Sequence, residues 1–81
     1  MMAAAARWRR GDTVFIGDFD PSLVGIVLRA SSIWADLLWI QANERGLTRW
    51  RKRQPDASLL KPARSEHQAL ASMFLFLQAP L

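Results

Sequence analysis

Ile33-Trp34-Ala35-Asp36-Leu37-Leu38-Trp39-Ile40 is the stretch on which the reading of the fold turns. It holds neither Gly nor Pro, and its residues alternate as a strand's do. Ala35, Leu37 and Trp39 fall on one face, and Trp34, Asp36, Leu38 and Ile40 on the other. Working outward, Gln41 to Gly46 reads as a turn. Leu47 to Arg53 then forms a fourth strand, with Thr48, Trp50 and Lys52 on one side and Arg49, Arg51 and Arg53 on the other. On the N-terminal side, Ala30-Ser31-Ser32 turns the chain back into a second strand, Leu23 to Arg29. Gly25 inside that strand marks a bulge or a close backbone crossing. Gly17 to Ser22 is a loop, and Gly11-Asp12 is a turn that opens the first strand, Thr13 to Ile16. Beyond the fourth strand, Gln54-Pro55-Asp56 is a break. Ala57 to Lys61 gives a short turn and a fifth strand carrying Leu59, which Pro62 ends.

Five short strands about ten residues apart, joined by Gly, Pro and Asp turns, read as a small antiparallel barrel. Ser65-Glu66-His67-Gln68 matches a capping box, with Ser65 at the N-cap. The helix that follows runs to about Gln78, and Pro80 marks its exit. The expected fold class is mainly β: a small five-stranded barrel with an added C-terminal α-helix. Its parts are an N-terminal leader (residues 1–9), the barrel (10–62), and the helix with its tail (63–81), all in one domain.

The frame Gly11-Asp12-x-Val14, Gly25-Ile26-Val27, Leu37-x-Trp39, Trp50 and Leu59 resembles that of small SH3-like barrels. It is similar in particular to short barrel proteins of tailed bacteriophages. Tudor, KOW, chromo-like and integrase C-terminal barrels share parts of it. The resemblance covers Arg10 to Pro62, about two thirds of the chain. It implies an SH3-like barrel with a core place for Trp39 and Trp50, and little of function, although a virion or assembly component fits it by analogy. The minimal barrel does not require the helix from Ser65 onward, and that addition points to assembly.

With 81 residues, the chain lies near the lower limit for a core that holds itself together. The absence of cysteine excludes disulfides and thiolate-ligated zinc. The lone histidine, His67, has no base or nucleophile in evident reach and reads as an exposed helix residue. Asp18-Phe19-Asp20 could hold a hard cation, but reads better as turn chemistry. There is no phosphate loop, nucleophile elbow or metal-binding His pair. The expectation is therefore a non-enzyme without cofactor, metal site or small-molecule substrate. Met1 to Ala6 is too short for a signal-peptide core, and its arginines follow it. No stretch approaches the ~18 apolar residues of a membrane span. The expected location is the cytoplasm, or a virion assembled there, without a membrane partner.

The formal charge is +4, and nine of the eleven basic residues are arginine. The excess lies in one stretch, where Arg45, Arg49, Arg51, Lys52 and Arg53 face Glu44 alone, while the rest of the chain cancels. Together with Trp50, these five form a candidate nucleic-acid-binding strand. Cations would track phosphates, and an indole would stack on a base. Two other readings are a solvated edge that resists strand pairing and pairing with acids on a neighbouring subunit. The helix carries a second candidate. Met73-Phe74-Leu75-Phe76-Leu77 are five apolar residues in a row, more than one inward stripe can use. Either the barrel takes up the whole run, or the helix docks on another chain. Met73 to Leu77, with Trp8 and Trp34, are thus candidate protein-interface residues. Trp8 could instead pack under the barrel while its arginine neighbours reach outward. The leading functional expectation is a structural, protein-interaction module that self-associates or joins a larger assembly. The alternative is a basic nucleic-acid-binding module.

Overall fold

A computed structural model describes residues 6–78, with side chains through Ser72. The strands are β1 (Thr13–Ile16), β2 (Leu23–Ala30), β3 (Ala35–Asn43), β4 (Gly46–Gln54) and β5 (Leu60–Pro62), and the helix is α1 (Ser65–Gln78). All pairings are antiparallel and form one sheet in the order β4-β3-β2-β1-β5, so β4 and β5 lie at its two edges. A 3-10 turn, Ala57–Leu59, leads into β5. The fold is mainly β with an added C-terminal helix, as the strand spacing and capping signals implied.

Each face of the sheet carries its own apolar cluster. One face gathers Val14, Val27, Ala35, Leu37, Trp39 and Leu60, which Trp8 and Ala57 close from outside the strands. The indole N–H of Trp8 donates to the Ala57 carbonyl at 3.4 Å, and the Ala57 N–H donates to the Ile33 carbonyl at 2.6 Å. These two bonds tie the N-terminal segment and the 3-10 turn to the same end of the sheet. The other face gathers Val24, Ile26 and Ile40 under Leu70 and Ala71 of α1.

Gly25 lies under two side chains of the first layer. A Cβ there would lie 3.2 Å from the Trp39 ring and 3.3 Å from Val14. Of the two readings of Gly25, the close approach is the one found. The register shift in β2 lies instead between Val27 and Arg29.

Several boundaries differ from the sequence reading. Gln41, Ala42 and Asn43 extend β3 rather than turning, so nine consecutive residues pair with β4, from Ala35↔Gln54 to Asn43↔Gly46. Glu44 and Arg45 alone make the turn, and the left-handed conformation falls on Gly46, with φ 121°. Leu59 does not carry the fifth strand. It is exposed at the end of the 3-10 turn, and Leu60 enters the core.

The N-cap of α1 is Arg64 rather than Ser65, because the Arg64 carbonyl accepts from the His67 and Gln68 N–H groups. His67 Nδ1 accepts in return from the Arg64 N–H at 3.1 Å, so a histidine fills the place of the acid or amide in a capping box. His67 is fully buried, contrary to the exposed position expected of it. Its ring stacks on Phe15 at 5.0 Å and meets the edge of Phe19 at 4.8 Å.

Candidate functional site

β4 is the strand in which most of the candidate residues stand. Arg49, Trp50, Arg51, Lys52 and Arg53 are exposed, as is Arg45 in the turn before them. This exposure follows from topology. An edge strand pairs on one side only, and the residues of β3 opposite it already fill both apolar layers. Trp50 lies across from Trp39 and Lys52 across from Leu37, on one face. Arg49, Arg51 and Arg53 lie across from Ile40, Leu38 and Asp36, on the other. The expected core place for Trp50 is corrected here: Trp39 fills that layer at 7% exposure, and Trp50 is left 38% exposed beside it.

Arg53 differs from its neighbours. Its Nε donates to Asp36 Oδ1 at 2.6 Å and its Nη2 to Oδ2 at 3.0 Å. Arg29 Nε reaches the same carboxylate at 2.7 Å. These bonds, Arg53's before Arg29's, hold the Asp36 carboxyl well below the usual carboxylate range, and the pairing raises Arg53 in turn. The guanidinium carbon of Arg53 also lies 3.8 Å from the centroid of the Trp34 ring, and that of Arg29 lies 5.6 Å from it. Trp34, a candidate interface residue, is thus half-buried beneath two arginines. Its backbone N–H donates to Ser31 Oγ at 3.0 Å.

Trp8, another interface candidate, lies in the core at 8% exposure, with Arg7 and Arg9 exposed on either side. That is the packed alternative with outward-reaching arginines. The remaining interface candidates, Met73, Phe74, Leu75, Phe76 and Leu77, continue α1, but their side chains lie outside the described residues. The first turns of the helix use His67, Leu70 and Ala71 as their inward face, at the 3 and 4 spacing of one stripe.

Asp20 proves to be a turn residue, its Oδ1 accepting from both the N–H and the hydroxyl of Ser22. Those bonds lower its carboxyl from the ordinary value. Among the described residues, no group of three His, Cys, Asp or Glu could hold a metal, and no helix is long and apolar enough to cross a membrane.

Two cations escaped the sequence reading because they lie far from β4 along the chain. Gly11 N–H donates to the Val27 carbonyl and Val27 N–H to the Asp12 carbonyl, both at 2.8 Å. This pair of bonds seats the Arg9–Asp12 turn against β2, just before its register shift. It carries Arg10 to Arg29, and the β2–β3 register carries Arg29 to Asp36. The available signal was weak: a Gly-Asp turn next to Arg9-Arg10, and an arginine ending a strand. Comparison with protein families, with curated proteins and with solved structures finds no match for this chain.

Proposed function

We propose that this protein is a non-enzymatic binding module that engages the phosphate backbone of nucleic acid along β4. The observation that carries this reading is the exposure of Arg45, Arg49, Arg51 and Lys52 on one edge strand, with a part-exposed Trp50 among them. Cations on an edge attract phosphates whatever the base sequence, and the indole offers a π-face to an unstacked base. The docking of α1 onto its own sheet through His67, Leu70 and Ala71 supports the same order of preference, since that much of the helix needs no partner.

The test is the binding of a labelled single-stranded oligonucleotide, followed by anisotropy between about 50 and 200 mM salt. Affinity should fall steeply across that range. Arg51→Ala should weaken binding by about fivefold at 0.1 M salt and lower the salt slope by about 0.7, equally for different base sequences. An affinity indifferent to salt rejects the reading.

A second reading rests on Met73 to Leu77. Five consecutive helical positions, each turned about 100° from the last, go fully round the axis. A sheet can cover only one side of them. On this reading the distal half of α1 (Ser65–Gln78) joins the protein to a second protein surface, a second copy of itself being the simplest.

A further inference from the structure

We infer that the principal phosphate seat lies not on β4 alone but in an open hollow where three parts of the chain meet. It is lined by Arg10 from the N-terminal turn, Arg29 from β2, Asp36 from β3, and Arg51, Lys52 and Arg53 from β4. This deepens the reading of β4 and rests on it. Arg29, Arg51 and Arg53 stand on the sheet face that carries Asp36, the one carboxylate of that lining.

Its construction argues for an anion. Arg53 presents two donors, and Arg29 a third, to one planar pair of oxygens. That fork geometry suits a phosphate as well as a carboxylate. Stacking on Trp34 fixes the Arg53 plane, so little side-chain freedom remains to be lost when an anion arrives. Asp36 thus keeps the two arginines in place and occupies part of the ground that a phosphate oxygen would take. Arg10 and Arg51 are exposed on the rim and receive no share of that carboxylate. The register shift between Val27 and Arg29 is the device that re-aims Arg29 toward the hollow, and the two bonds between the N-terminal turn and Val27 bring Arg10 beside it. The ligand class is the phosphodiester backbone, bound with one phosphate seated between the rim cations.

The decisive variant is Arg10→Ala, because Arg10 lies outside the charged stretch of β4 and is exposed. Binding of fluorescein-labelled oligothymidylate to the full chain should weaken about fivefold at 0.1 M salt, with a salt slope lower by about 0.7. Arg10→Lys should restore the slope. Asp36→Asn should tighten binding and steepen the slope, because two guanidiniums lose their internal counter-charge. If Arg10→Ala binds as the native chain does while Arg51→Ala is weakened, the seat is not in the hollow, although the reading of β4 survives. If the native chain does not bind the oligonucleotide at all, that reading itself fails. Weaker binding by Asp36→Asn would overturn the competing role given to its carboxylate. Vesicles of phosphatidylserine and phosphatidylcholine bound as tightly as the oligonucleotide, and released by the same Arg10→Ala change, would assign the seat to a lipid headgroup instead.

Discussion

His67 Nδ1 accepts the Arg64 N–H, and this places the ring proton on Nε2, 2.8 Å from the Asp20 carbonyl. One side chain therefore caps a helix and ties it to the loop between β1 and β2, while its faces pack on Phe15 and Phe19. Packing and hydrogen bonding can be separated by His67→Phe, which keeps an aromatic ring but leaves both backbone groups without their partner. A loss of about 1–3 kcal/mol in urea unfolding is expected, and an unchanged midpoint would mean that packing alone seats the helix. Gly25 poses the opposite problem, too little room rather than too few partners. Gly25→Ala inserts a methyl between Trp39 and Val14, in a layer where both neighbours are buried. Overpacking costs about 1–3 kcal/mol, against which a strand glycine returns less than about 1 kcal/mol of backbone entropy. The variant should unfold at lower urea, and a raised midpoint would show that the Trp39 ring can yield.

Among the elements, the β3–β4 hairpin carries the site, and Asp36 gives it a dependence on pH. The carboxyl is held below its ordinary value in the folded chain, first by Arg53 and then by Arg29. Its contribution to stability is therefore complete above the unfolded value of about 4 and is lost as pH falls from there through the folded value. Asp36→Asn removes that contribution, so the acid limb of its stability profile should be flatter than the native one. Parallel acid limbs in thermal melts from pH 6 down to pH 2 would contradict this. The elements also differ in how readily the sequence discloses them. β1 was legible at both ends, and α1 to within one residue at its start, since Gly-Asp, Pro and the apolar run are local signals. Gln41-Ala42-Asn43 was not, because a polar strand end is indistinguishable from a turn until its partner is known. Leu59 and Leu60 are adjacent leucines, and only the 3-10 turn decides which one faces inward. The spacing of His67, Leu70 and Ala71 was a usable sign that the histidine joins the buried stripe. The strand part of the site was legible as a run of charge, but Arg10 and Arg29 were not, since pairing and a register shift bring them there rather than proximity in the chain.

For the whole molecule, the two readings of function separate in space and can be tested in one experiment. Among the described residues, those that seat α1 precede Ser72, whereas the cations of β4 lie on the strand at the far edge of the sheet order from β5. Light scattering on a sizing column in high salt, where exposed charges are screened, should give the full chain a mass of several copies. Removal of Ser72–Leu81 should reduce this to a monomer, slightly below the full chain's 9.2 kDa, with oligonucleotide binding intact. A truncated protein that still assembles would remove the distal helix from consideration, and loss of binding on truncation would place the tail in the nucleic-acid site. The pairing of β1 with β5, from Val14↔Pro62 to Ile16↔Leu60, bears on how the chain acquires its shape as it is made. The third segment of sheet to be synthesised can already fold back on the second, and the fourth on the third, but β1 waits for its outer neighbour until Leu60 to Pro62 have been made. Trp8 waits for Ala57 in the same way. Closure of that apolar layer is therefore a late event of high sequence separation, slow by the standards of a chain this short. During synthesis the nascent protein presents the hairpin and its arginines before Ala57 and Leu60 close that layer.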